Sequence, residues 1–123
     1  MLYAILCYNV EDVVGAWSKE EDDAVMAKLA VVQQKLVNEG RLGPVARLLP
    51  TTAATTLRKS PEPLVIDGPF AETKEQLLGF YVVDCTSLDQ ALETAKELAV
   101  ANPGLGSYEI RPIGYFTAGT APA

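Results

Sequence analysis

The chain contains no histidine. Histidine is the side chain whose unperturbed pKa lies near neutrality, so the commonest general base and the commonest metal ligand are both missing. Serine or cysteine nucleophiles activated by histidine are excluded with it. Only two cysteines occur, Cys7 and Cys85. Both lie in apolar, strand-like stretches, where a free thiol behaves as a small hydrophobe. Two such thiols point to a reducing compartment, and without histidine they cannot complete a zinc site, so no metal is expected. No run of lysine or arginine exists, and 16 acidic against 10 basic residues leave a net charge of −6. The electrostatic footprint of a nucleic-acid binder is therefore absent. No GxGxxG, P-loop or CxxC pattern occurs, so nothing supports a cofactor. The apolar opening from Met1 to Tyr8 has no basic flank and stops at Asn9, too short for a signal peptide or a membrane span. A cytoplasmic protein without cofactor, nucleic-acid partner or membrane association is expected.

What is present reads as one domain over residues 1–116, with a frayed, small-residue tail at 117–123. Residues 2–8 form a strand that is apolar on both faces, and residues 9–17 a loop. Ser18 with Glu21 three positions on is a capping box. Val25, Leu29, Val32 and Leu36 follow at helical spacing, until Gly40 stops the helix. The acidic residues Glu20 to Asp23 suit the positive end of a helix dipole better than a cation site. Stretches 42–49, 52–59 and 64–66 are extended, and Pro44, Pro50, Pro61 and Pro63 confine them to edge or hairpin strands. Residues 79–85 give the strongest strand. Ser87 with Gln90 is a second capping box, opening a helix striped by Leu88, Ala91, Leu92, Ala95, Leu98 and Ala99. Asn102-Pro103-Gly104 ends that helix, and residues 107–116 form a last edge strand carrying Pro112.

Two strand–helix–strand halves predict an α+β fold, the ferredoxin-like βαββαβ sandwich, with an extra hairpin between the halves. Two helices cover only one face of such a sheet. Phe80 and Val82 nevertheless point one way and Tyr81 and Val83 the other, so the uncovered face is also apolar. A second copy packed sheet to sheet is the simplest cover, and a homodimer is expected.

The densest chemistry lies in Asp67-Gly68-Pro69-Phe70-Ala71-Glu72-Thr73-Lys74-Glu75-Gln76. Asp67, as a candidate catalytic carboxylate, with Glu72 and Lys74 beside it, would present an acid or base and a cation to a small ligand. The same residues also suit a purely structural role, with Asp67 capping the turn and Glu72 or Thr73 opening a short helical turn. On the last strand Glu109 and Arg111 share one face, Tyr108 and Ile110 the other. Arg111 is either an anion anchor within a dimer or half of an ordinary ion pair.

The segment Val65-Ile66-Asp67-Gly68-Pro69-Phe70-Ala71-Glu72-Thr73-Lys74-Glu75-Gln76-Leu77-Leu78-Gly79-Phe80-Tyr81 closely resembles the signature of the YCII-related, or DGPF-domain, family. Tyr3-Ala4-Ile5-Leu6, Ala53-Ala54-Thr55-Thr56-Leu57-Arg58 and Glu109-Ile110-Arg111-Pro112-Ile113 fit the same context. The resemblance implies a ferredoxin-like fold that dimerises into an α/β barrel, with a cleft on each protomer near the interface. It also implies an unassigned biochemical role and genes neighbouring those of extracytoplasmic-function sigma factors. Some relatives in the wider superfamily are enzymes with a His–Asp acid–base pair; here Leu29 stands where that histidine is implied. Two readings follow. In one, a dimeric protein binds a small molecule in a pocket near the DGPF loop built from Asp67, Glu72, Lys74 and Arg111, with or without catalysis. In the other, a non-catalytic accessory or sensor protein works in a sigma-factor pathway.

Overall fold

The computed structural model describes residues 1–120. Its elements are β1 (Leu2–Asn9), α1 (Glu11–Gly15), α2 (Lys19–Asn38), β2 (Leu42–Arg47), β3 (Thr55–Arg58), β4 (Leu64–Asp67), β5 (Gln76–Asp84), α3 (Leu88–Ala101) and β6 (Ser107–Pro112), with a 3-10 turn at Thr51–Ala53. The main sheet has four strands in the order β2-β5-β1-β6, all paired antiparallel. Each half of the chain thus places one strand inside the sheet and one at an edge, which is the ferredoxin-like arrangement. β3 and β4 pair only with each other, forming the extra hairpin between β2 and β5. The proline-bearing strands β2 and β6 are the edges, where a missing N–H costs least.

Local signals set the helix starts. The Ser18 side chain accepts from the Glu21 N–H at 3.0 Å, and the Glu21 carboxylate returns the bond to the Ser18 N–H. Ser87 likewise accepts from the Gln90 N–H at 3.2 Å. The second box is only half formed, because the Gln90 side chain bonds the Thr86 N–H instead. Residues 9–17, expected as a loop, contain the short helix α1. Its Glu11 N–H is held by the Gln76 side chain at 3.0 Å, a partner 65 positions away that no local pattern announces. The expected helical turn at Glu72 or Thr73 does not form. Thr73 Oγ1 donates to the Glu75 carbonyl at 2.6 Å, and Gln76 Nε2 donates to the Thr73 carbonyl at 2.7 Å, which keeps this loop irregular. Residues 117–120 carry no regular structure, and the rest of the expected tail lies outside the described residues.

The core lies on one face of the sheet. Tyr3 pairs with Val83, and Ile5 pairs with Tyr81 and Ile110. These side chains meet Val25, Leu29 and Leu36 of α2 and Ala91, Ala95 and Leu98 of α3. Burying a leucine such as Leu36 or Leu98 stabilises the fold by roughly 1.5–3 kcal/mol. Leu88, expected in the α3 stripe, is exposed, and Thr94 is buried in that helix instead. The Thr94 hydroxyl donates to the Gln90 carbonyl and accepts from Arg41 Nη2 at 2.7 Å. Arg41 also bonds the Asp84 carbonyl and the Cys85 sulfur, tying the start of β2 to the β5–α3 junction.

The packing of β2 on β5 depends on one residue without a side chain. A Cβ on Gly79 would stand 2.4 Å from the Ala46 carbonyl oxygen, so strand must move from strand to admit it. Gly79→Ala is expected to cost about 1–3 kcal/mol, as overpacking does. Gly15→Ala, where nothing lies within 4 Å, is expected to stay within about 1 kcal/mol of wild type. Denaturant midpoints of the two variants check this.

Candidate functional site

Strand register assembles the floor of a cleft. Gly79 pairs with Arg47 on one side and Cys7 on the other, and Cys7 pairs with Tyr108. Paired residues share a face, so Arg47, Gly79, Cys7 and Tyr108 make one row across all four strands. Val45, Tyr81, Ile5 and Ile110 make the next row. Over these rows α2 and α3 leave a cavity of about 340 Å³, within the roughly 300–1,000 Å³ range of ligand pockets. Met26, Leu29 and Gln33 of α2 form one wall, Leu92, Ala95 and Ala99 of α3 the other, and Trp17 and Leu105 close in from the flanking segments.

Apart from Arg47 at its edge, the polar groups of the floor are neutral. Burial pushes the Cys7 thiol up to about 12. Burial likewise pushes the Tyr81 phenol up to about 12, with Cys7 and Tyr108 adding to the effect. Gln33, beside the Tyr81 hydroxyl but without a full hydrogen bond, pulls it the other way. Tyr108 is also raised, first by burial, and is drawn back by Asn102, whose Nδ2 donates to its hydroxyl oxygen at 3.3 Å. Asn102 Oδ1 is buried without a partner. At the rim, Arg47 is engaged by both oxygens of Asp22, at 3.0 and 3.2 Å. Away from that ion pair the floor offers hydrogen bonds and no charge. It is also poor for thiolate chemistry, since a thiol titrating near 12 is ionised in roughly one molecule in 10⁵ at neutral pH.

The residues singled out from the sequence lie elsewhere. Asp67 ends β4 opposite Thr55 and is exposed. Its turn is held by backbone and threonine: the Gly68 N–H donates to the Ala54 carbonyl at 2.7 Å, and Thr56 Oγ1 donates to the Gly68 carbonyl at 2.8 Å. Gly68 has φ 101°, a conformation that favours glycine. Glu72 and Lys74 are exposed on the following loop. Arg111 is exposed opposite Ala4, on the sheet face away from the helices. Its neighbour on that face, Glu109, accepts a hydrogen bond from Tyr8 at 3.3 Å. No hydrogen bond or salt bridge joins these four residues to one another among the described residues, and none of the four lines the cleft. The other end of the same signature does: Gly79 and Tyr81 line it. Strand alternation had placed Tyr108 with Ile110 and Tyr81 with Val83, but only the register reveals that the helices cover those faces. Gln33 and Asn102 carry no sequence signal beyond a polar residue on a helix and a helix stop.

The strand order, the two helices on one face and the inserted hairpin define a ferredoxin-like α+β protein with a cleft between helices and sheet. The chain belongs to the YCII-related domain family, which it matches over residues 1–117. It is 63% identical over 124 residues to an uncharacterized protein of Rhizobium meliloti (strain 1021), and the alignment covers 100% of both chains. Among the described residues no helix is long and apolar enough to cross a membrane, and no group of three or more His, Cys, Asp or Glu side chains is placed to hold a metal ion.

The raised values at the floor all act with one sign. Cys7 and Tyr81 hold their protons more tightly folded than unfolded, where they titrate near 9.0 and 10.0. Their contribution is complete below those values and is lost as pH rises toward about 12. The melting temperature is therefore expected to fall between about pH 9 and 12, and less steeply in Cys7→Ala. Thermal melts across that window check it. At pH 8, native Cys7 should also react with iodoacetamide far more slowly than it does in urea.

Proposed function

We propose that this chain is a homodimeric small-molecule-binding protein whose ligand lies in the cleft between helices and sheet. The observation that carries the reading is the cavity of about 340 Å³, floored by the C-terminal end of the DGPF signature. A row of small and neutral polar groups under apolar walls, with Arg47 paired to Asp22 at its edge, is what a ligand site needs. The dimer is supported by the opposite sheet face. Ala4, Leu6 and Phe80 lie there half-buried, on the side away from α2 and α3. The hairpin adds Leu57, Leu64, Val65 and Phe70, all largely exposed. Apolar surface of this extent marks an interaction site.

In this proposal Asp67, Glu72, Lys74 and Arg111 belong to the surface that dimerisation covers. Asp67 follows the exposed apolar residues of β4, and Arg111 stands on the uncovered sheet face, so a second copy is what brings such a quartet together near the DGPF loop. Asp67 is the acid–base candidate of that quartet, and Glu72, Lys74 and Arg111 are candidate contacts for a ligand held there, apart from the cleft. A second reading, a non-catalytic accessory protein of a sigma-factor pathway, draws on Leu29. It is buried against the core where the family resemblance implies a histidine, which leaves Asp67 without an acid–base partner. Both readings keep the protein in the cytoplasm.

Light scattering at micromolar concentration is expected to give at least twice the mass of one 13.2 kDa chain; a single-chain mass would rule out the dimer. Because the Asp67 carboxylate accepts no hydrogen bond among the described residues, Asp67→Asn should leave the melting temperature within about 1 °C of wild type. A thermal-shift screen of small acids and phenols on both proteins then tests the quartet. Compounds that stabilise wild type more than Asp67→Asn support it, and equal shifts remove Asp67 from the site.

A further inference from the structure

The floor of the cleft says more about what it binds. We infer that it recognises an uncharged carbonyl compound whose oxygen accepts hydrogen bonds from the Tyr108 and Tyr81 hydroxyls, and that Asn102 orients the Tyr108 hydroxyl toward it. This rests on the small-molecule reading of the cleft and names its ligand class.

The argument starts from the hydrogen bonds the floor already makes. Asn102, just after the last turn of α3, donates its Nδ2 to the Tyr108 oxygen at 3.3 Å. A phenol oxygen that accepts still has its own proton to give, and among the described residues the Tyr108 proton meets no acceptor. Tyr81 also donates to no described residue, and both tyrosines line the cavity. Cys7, between Tyr108 and Gly79 in the same row, turns its thiol toward the Ile5 carbonyl at 3.8 Å and competes only weakly. Two phenols that donate to no described residue therefore line one largely apolar cavity. The counterpart is an oxygen acceptor.

Asn102 supplies an independent sign. Its Oδ1 is sealed from solvent with no donor among the described residues, an arrangement natural proteins seldom keep without cause. What the carboxamide gains is the single bond from Nδ2 to Tyr108. A leucine would fill the space without stranding a carbonyl, so the orientation of Tyr108 is what the amide contributes. Asn102 is in this sense a positioning residue.

Charge then narrows the ligand. A carboxylate also accepts hydrogen bonds, but it would have to shed its water in a space whose two lining cations each already face a carboxylate. Arg47 is held by both oxygens of Asp22 at the rim, and Lys96 is engaged by Glu93 at 3.3 Å. The same desolvation that raises the pKa values of Cys7, Tyr81 and Tyr108 opposes an anion beside them. A ketone or aldehyde on an apolar ring satisfies both donors and adds no charge.

The test compares acetophenone, benzoate and ethylbenzene, similar in size but carrying a neutral carbonyl, an anion and no acceptor. Amide chemical-shift titrations of the full chain give the three dissociation constants. Acetophenone is expected to bind about 3- to 10-fold tighter than either of the others, the range of one or two net hydrogen bonds. Tyr108→Phe should weaken acetophenone by a similar factor and leave ethylbenzene unchanged. Asn102→Leu should do the same and raise the pH at which Tyr108 ionises, because Asn102 holds that value down; absorbance of the phenolate reads this. If Tyr108→Phe does not fold, Asn102→Leu carries the comparison alone. Benzoate binding as tightly as acetophenone would overturn the uncharged class. Ethylbenzene binding equally well would overturn the carbonyl contact. Either result leaves the small-molecule reading standing. If none of the three shifts a cleft resonance, that reading falls together with the inference.

Discussion

A helix of 20 residues and another of 14 lie over four strands and do not cover all of one face. Where they do, the result is a tightly buried core: Ile5, Val83, Leu36 and Leu98 have almost no exposure. Where they do not, the row Arg47, Gly79, Cys7 and Tyr108 is left as the floor of a cavity. The missing side chain at Gly79 lets β2 close onto β5. It also removes bulk from the centre of that row, so one glycine serves both strand packing and cavity volume. The other face of the sheet has neither helix upon it, and its apolar residues set the demand for a partner surface.

Electrostatics divides the molecule in the same way as packing does. Inside the cleft a thiol and two phenols carry their protons and burial raises their pKa values further, so the site works with hydrogen bonds in a medium where each is stronger than in water. Outside, the 16 acidic residues are mostly spent on helix starts, exposed pairs and loops. The Lys19–Asp23 and Lys96–Glu93 pairs are solvent-exposed, and pairs of that kind contribute at most about 1 kcal/mol. Arg41 is different, because its guanidinium is largely buried and bonds four groups at the junction of β2, β5 and α3. It fixes the end of the sheet opposite the cleft.

The DGPF signature spans both territories. Its first half forms β4 and an irregular loop whose bonds run to distant elements. Gln76 holds the start of α1, Glu75 accepts from Ser107 at the start of β6, and Glu11 of α1 bonds Thr51 ahead of the hairpin. Its second half is the strand under the cavity. A single contiguous motif thus links the hairpin, the mouth of the cleft and its floor, and the density of polar residues in it follows partly from that stitching.

The sequence by itself determined the fold class. Capping residues, helical spacing and proline placement are local, and they act through backbone groups within a few positions of one another. Ser18, Ser87 and the punctuating prolines could therefore be read directly, and so could the inserted hairpin. Tertiary structure decided which strand face the helices cover, and with it the identity of the cleft residues. Tyr81 and Tyr108 are 27 positions apart in sequence, and Cys7 joins them only through antiparallel register. Asp67 drew attention because it sits among other ionisable side chains in a short stretch, which is a property of sequence proximity. The cleft instead depends on residues brought together by strand pairing and helix packing, and no short-range pattern encodes a hydrogen bond such as that from Asn102 to Tyr108.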